Sequence, residues 1–151
     1  MRQQKIIQDP YSNIDMLMWH VTKLLVKNKK QILDGFGLTC SQFEMLAAIY
    51  SLSSNKEEII QINLSEKTRI DPMTTSTTLR NLQKKGLITR TRSTVNTRTV
   101  IVELTHKGQN LYIDALTEIN MTSDTIYQNI DKQSLASQLL ILSDKLNKLN
   151  C

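Results

Sequence analysis

At 151 residues with 40% hydrophobic content, the chain has room for one domain with a real core and is too apolar to be disordered. Aromatics make up only 5%, so that core must come mostly from Leu, Ile, Val and Met. The net charge of +5 is unevenly spread. Residues 64–108 hold nine Lys/Arg against three Asp/Glu, a net of +6, and the remainder ten against eleven, a net of −1. Excess positive charge confined to one stretch is the footprint of a polyanion binder. Two cysteines, Cys40 and Cys151, are too few for a disulfide framework and wrong for a zinc site. No apolar run reaches the length of a membrane span and residues 1–10 lack a signal-peptide core, so the expectation is a cytoplasmic protein without membrane contact.

In chain order, residues 1–10 read as an irregular arm. Ser12, with Asp15 three residues on, makes a partial capping box for a long helix. On it Ile14, Leu17, Met18, Val21, Leu24, Leu25 and Ile32 recur at steps that predict one buried face, and Gly35 and Gly37 end it. Thr39 and Gln42 form a capping box opening a second helix through about Leu52, with Phe43, Leu46, Ala47, Ile49 and Tyr50 expected inside. Residues 51–55 read as a loop, and residues 56–62 fit a short strand and a first helical turn equally well.

A short helix over residues 64–68 leads through Arg69 and Ile70 into the stretch that organises the rest. Asp71 is suited to accept a hydrogen bond from an orphan N–H of the next helix, and Pro72 fits its first position. Gly86 ends it, because glycine takes the left-handed conformation without a Cβ penalty. At 100° per residue Thr75, Thr78, Leu79 and Leu82 share one side. Met73, Thr77, Arg80 and Lys84 share the other, flanked by Thr74, Ser76 and Asn81. An ordinary solvated face mixes both charge signs. This one has no acid and offers short donors and acceptors with two cations, which suits phosphates and base edges.

After Gly86, residues 87–92 alternate, residues 93–97 form a polar turn, and residues 98–104 are a second β-rich run, with Arg90, Arg92 and Arg98 on the hairpin. Thr105 caps a third long helix running past Tyr112, Ile113, Leu116 and Ile119 toward Ile130. Asp131 or Ser134 opens the last, on which Leu135, Leu139, Leu142, Leu146 and Leu149 step as a short heptad seam. The fold class is therefore mainly α with a small β-hairpin wing, one domain over 1–151. Its winged helix-turn-helix core spans about 38–104, and long helices over about 10–35 and 105–150 carry apolar faces that a partner subunit would cover. A two-fold homodimer is the economical form, with Ile14, Leu17, Val21 and the five seam leucines at its interface.

Three runs resemble the MarR (multiple antibiotic resistance regulator) family of winged-helix transcription factors. Residues 38–46, LTCSQFEML, look like the family's LTxxQFxxL; residues 82–90, LQKKGLITR, like its LxxKGLIxR; and Asn96-Thr97-Arg98 followed by LTHKG like its wing DxR and LTxxG. The resemblance implies a dimer with each recognition helix in a major groove of double-stranded DNA and each wing in a minor groove. Carried over by position, Met73, Thr74, Ser76 and Thr77 lie toward base edges, Arg80 and Lys84 toward phosphates and Arg98 at the minor groove, with Asn81, Arg90, Arg92 and Asn96 as further DNA-binding residues. Asn96 stands where the family usually has Asp, so Arg98 lacks a carboxylate to orient it. Thr77 stands where Arg is frequent, which favours a thymine methyl over guanine and leans the operator toward A·T. The resemblance also implies a repressor released by a small-molecule effector, bound in a pocket lined by Met16, Trp19, His20 and Tyr50; plain core packing is the alternative for these four.

Cys40, in the first turn of its helix, reads as filler rather than a redox sensor, and His20 and His106 have no companion ligands at metal spacing. Without a Gly-rich phosphate loop, nucleophile motif or metal cluster, no enzyme and no cofactor is expected. The rival is a winged helix used for protein–protein contact, which predicts no polarised charge.

Overall fold

The computed structural model describes residues 9, 12–55 and 57–150. Among these the elements run α1 Ile14–Asp34, α2 Cys40–Ser53, α3 Gln61–Thr68, α4 Pro72–Lys84, β1 Ile88–Arg92, β2 Val100–Leu104, α5 His106–Ile126 and α6 Lys132–Leu149. They fall into two units, Met1–Leu116 and Thr117–Cys151. The expected arm and the terminal Cys151 lie outside the described residues.

The first unit is built around α2, which packs on α1, α3, α4 and β2. Leu33, Met45, Leu46, Ile49, Leu64, Leu79, Leu82, Leu87, Ile88 and Val102 are essentially inaccessible to water. Each such side chain contributes roughly 1.5–3 kcal/mol. The aliphatic core expected from the scarcity of aromatics is present. Strand β1 pairs antiparallel with β2, from Ile88 opposite Leu104 to Arg92 opposite Val100. Ile60 bridges to Ile101 on the other edge of β2, and Val102 N donates to Ile59 O at 2.8 Å. The ambiguous segment is thus both things in turn. Ile59 and Ile60 are extended against the wing, and helix starts at Gln61, three residues before the expected Leu64.

Several boundaries differ from expectation. The cap of α1 is Asn13, whose Oδ1 accepts from Asp15 N at 2.8 Å, while Ser12 Oγ donates back to Asp9 O. Of the apolar face expected for α1, Ile14, Leu17, Val21 and Leu24 are exposed and Met18, Leu25 and Ile32 half-buried, while Leu33 is buried. Helix α2 runs through Ser53, so residues 51–53 are helical rather than loop. Its buried positions are Gln42, Met45, Leu46, Ala48 and Ile49; Leu46 and Ile49 are as expected, whereas Phe43 and Ala47 are half-buried and Tyr50 is exposed. Aromatic size misled the assignment. Phe43 and Tyr50 turn outward to clasp Tyr112, with ring centroids 5.4 and 5.0 Å away. Burial first and Tyr50 second push the Tyr112 hydroxyl above its ordinary pKa. Gln42 is buried with its Oε1 accepting from Thr39 N and Lys85 Nζ.

The second unit holds the end of α5 and α6. Helix α5 stops at Ile126 rather than Ile130, and Asn129 turns left-handed at φ 64°. Asp131 caps α6 by accepting from Ser134 N at 3.1 Å. No residue of α6 is buried, and all five seam leucines are exposed. Among the described residues no helix is long and apolar enough to cross a membrane.

Candidate nucleic-acid interface

Helix α4 is fixed at both ends by side chains suited to each pole. At the N-terminus Asp71 Oδ1 accepts from Thr74 N at 2.8 Å and Oδ2 from Thr74 Oγ1 at 2.6 Å. The Thr74 hydroxyl, then its N–H, hold the Asp71 carboxyl below the usual carboxylate range. At the C-terminus Gly86 is left-handed at φ 73°, and Thr105 Oγ1 donates to Gly86 O at 2.7 Å while accepting from Gly108 N at 3.0 Å. Lys107 Nζ donates to Lys85 O at 3.1 Å. Lys85 Nζ reaches back to Gly37 O at 2.5 Å and to Gln42 Oε1 at 3.0 Å. Gln42 Oε1 also accepts from Thr39 N in the α2 capping box, so one carboxamide ties the start of α2 to the end of α4. Gly108 permits the closest approach. A Cβ there would stand 1.9 Å from Leu87 O.

Held this way, α4 buries Thr75, Thr78, Leu79 and Leu82 and turns Met73, Thr74, Thr77, Arg80, Asn81 and Lys84 to solvent, with Ser76 half-buried. The wheel read from sequence is the wheel observed. Two hydroxyls are already committed. Thr74 is spent on Asp71, and Thr77 Oγ1 donates to Met73 O at 3.1 Å, leaving Thr77 its methyl and its lone pairs.

The wing turn closes through its own side chains. Ser93 Oγ accepts from Val95 N and Asn96 N at 3.2 and 3.3 Å, and Asn96 Oδ1 accepts from Arg98 N at 3.1 Å. Asn96 therefore sets the backbone of Arg98, not its guanidinium. Arg92 Nη1 donates to Thr97 O. Arg90 is half-buried, with Nη2 on Gln61 Oε1 at 2.9 Å and Nε buried without a partner. Burial, and secondarily the like charge of Arg80, lower its pKa from the ordinary value. An anion at that point would relieve both.

The ion pairs among the described residues, Lys30–Asp34 and Lys132–Asp124, both lie outside residues 64–108. The cations of the helix and wing are thus unpaired with carboxylates among the described residues, and Arg80, Lys84 and Arg98 are each exposed. Sequence reasoning missed Gln61, Lys85, Ser93, Lys107 and Gly108 as positioning residues; for Gln42 and Thr105 it found the helix caps but not the bonds to Lys85 and to Gly86 O. The Lys-Lys-Gly run at the helix end was their one visible signal. Met16, Trp19 and His20 do share a cleft of about 220 Å³, with Lys23, whose Nζ lies 5.5 Å from the Trp19 ring centre. Tyr50 is not among its walls. Cys40 is half-buried in the first turn of α2.

The family model "Transcriptional regulator SarA/Rot" matches residues 27–116. The chain is 26% identical over 127 residues to the HTH-type transcriptional regulator SarZ of Staphylococcus haemolyticus, covering 83% of this chain and 81% of that one. Its fold is similar to that of MepR from S. aureus in a DNA complex, with a TM-score of 0.78, 20% identity and coverage of 93% and 99%. It is also similar to CouR from Rhodococcus jostii RHA1 bound to p-coumaroyl-CoA, with a TM-score of 0.76, 18% identity and coverage of 89% and 92%. The two-stranded wing, the capped helix before it and the matched span together place the chain in the SarA/Rot family of transcriptional regulators, on a MarR-type winged-helix fold.

Proposed function

We propose that the chain is a homodimeric repressor that binds a near-palindromic site in double-stranded DNA and is released by a small-molecule effector. The observation that carries the reading is the acid-free exposed face of α4, whose Arg80 lies near enough to Arg90 of the wing to act on its charge, beside a wing whose cations have no carboxylate partner among the described residues. Met73, Ser76, Thr77 and Asn81 face base edges, Arg80, Lys84, Arg90 and Arg92 the phosphates, and Arg98 the minor groove. The DNA complex of MepR supports this docking, and the ligand held by CouR supports an effector, for which the Met16, Trp19 and His20 cleft is the candidate place. The exposed apolar residues of α1 and α6 support the dimer, because apolar faces left open on a free monomer would be an aggregation hazard. Binding, rather than catalysis, is the role.

The test is gel-shift titration of duplexes selected from a random library by the full chain, at two salt concentrations. The expected result is a selected site with two half-sites about 10 bp apart and an affinity that falls steeply with salt. Failure to shift any duplex at low salt would overturn the reading and favour the protein–protein alternative.

A further inference from the structure

The wing presents a residue that charge does not account for. Val95, at its apex, is 95% exposed, more than any other large apolar side chain among the described residues. Unlike the exposed residues of α1 and α6, it belongs to no apolar face that a second copy would cover. A β-branched residue also has no local reason to sit in a turn, where Gly, Asn, Asp and Ser are favoured. Yet the turn around it is built with care. Ser93 Oγ satisfies the N–H groups of Val95 and Asn96, Asn96 Oδ1 that of Arg98, Asn96 O that of Thr99, and Thr99 O that of Ser93. The apex is closed mostly by its own residues, with Arg92 of β1 adding a bond to Thr97 O, and valine has little χ1 freedom to lose. Its two methyl groups are offered outward at a fixed place, on the same loop as Arg98.

We propose that Val95 is a specificity-determining residue, reading the minor groove by filling its floor at A·T pairs and rejecting G·C. The inference rests on the proposed insertion of the wing into DNA. At an A·T pair the floor shows only the adenine N3 and thymine O2 acceptors, which the Arg98 guanidinium can serve, leaving depth for a branched side chain. At G·C the guanine N2 amino group projects into that depth. A methyl group pressed on it would bury a donor without a partner. Arginine supplies the attraction to a narrow, electronegative groove and valine the shape that excludes the wrong pair.

The test uses the full chain and a duplex it has selected from a random library, with the wing contact located by hydroxyl-radical protection. Three versions are compared, carrying A·T, inosine·C or G·C at the protected pairs, since inosine lacks only the N2 amino group. The parent should bind the A·T and inosine duplexes alike and the G·C duplex roughly tenfold more weakly, within the range of one wrong base pair. Val95→Ala should keep the parent's melting temperature and narrow that ratio to about threefold. Equal loss on the inosine and G·C duplexes, no discrimination by the parent, or a Val95→Ala ratio equal to the parent's would each overturn the inference. An Arg98→Ala control separates the two levels. If it loses affinity while Val95→Ala keeps the parent's ratio, the wing enters DNA and only the role of Val95 fails. If neither variant differs from the parent, the wing is not inserted and both readings of it fall.

Discussion

Gly108→Ala adds one methyl group at the start of α5, and its cost follows from the neighbours. The new carbon would stand 1.9 Å from Leu87 O, 2.8 Å from Leu87 C and 3.1 Å from Leu87 Cα. Ordinary contact begins at 3.4 Å, so the carbonyl oxygen and Gly108 must separate by about 1.5 Å. Leu87 has nowhere convenient to go. Its side chain is buried, its N–H donates to Leu82 O at 3.0 Å, and its oxygen accepts from Thr105 N at 3.1 Å. Overpacking against a fixed neighbour costs about 1–3 kcal/mol, and a stretched hydrogen bond about 1 kcal/mol more. A total near 3 kcal/mol corresponds to a fall in melting temperature of roughly 6–12 °C for a chain of this size.

The assay is thermal melting at matched protein concentration, because mass action makes a dimer's melting temperature depend on concentration. Gly86 supplies the contrast. It is left-handed at φ 73° with nothing within 4 Å of where a methyl group would stand, so Gly86→Ala should cost only conformational strain, about 1 kcal/mol. Gly86→Asn should recover part of that, since Asn tolerates the left-handed region. Gly108→Asn should recover nothing, because the collision begins at Cβ. If Gly108→Ala melts within about 1 kcal/mol of the parent, or asparagine rescues Gly108 but not Gly86, the close approach of α5 to Leu87 is not what glycine is there for.

Three further outcomes are expected. Lys84→Ala should weaken selected and random duplexes alike and flatten the salt dependence by about one unit, whereas Thr77→Ala should erode preference for the selected site by roughly 1 kcal/mol per half-site and spare random DNA, as binding isotherms at two salts would read. Deleting the chain from Ser134 onward should give an aggregated or unfolded product; a soluble monomer that melts cooperatively would refute the dimer. Asp71 has a folded pKa below its unfolded value of 3.8, so its contribution is present above that pH and lost as pH falls through the lowered value. Asp71→Asn should therefore melt below the parent at neutral pH, and the gap should close between pH 3.8 and more acid conditions, as melting curves against pH would check.

What was legible in the sequence was legible for local reasons. Asp71-Pro72, Thr39 with Gln42, Thr105 and Gly86 mark helix ends through bonds made within four residues, and each was found where the chain placed it. The faces of α4 followed from its period. Two of the errors have a different cause. The register of the α2 core depends on Lys85 and Tyr112, distant in sequence, and the Ile59–Ile60 segment takes its extended form from pairing with β2. Those choices are made by tertiary neighbours, which periodicity does not see. The clasp at the end of α4 was hidden likewise, because Thr105, Lys107 and Gly108 read locally as the start of another helix.

That clasp bears on how one stretch can be both scaffold and interface. Four of its nine cations have structural partners: Lys85 on Gly37 O and Gln42, Lys107 on Lys85 O, Arg90 on Gln61 and Arg92 on Thr97 O. Every acceptor is a carbonyl or a carboxamide. Had they been carboxylates, each bond would have positioned a side chain and cancelled its charge together, and the net of +6 would have fallen toward neutrality. Neutral acceptors hold the cation in place and leave its field intact. The affinity of a duplex depends on how many phosphates are neutralised and how many counterions are released, so a cation fixed by a carbonyl still counts. Those carbonyls belong largely to turns and to the C-terminal end of α4, where the helix dipole favours positive charge and orphan oxygens need donors. The same lysines that complete the C-terminal end of the helix therefore keep the face charged, and the carboxylate that orders the helix, Asp71, stands at its opposite end.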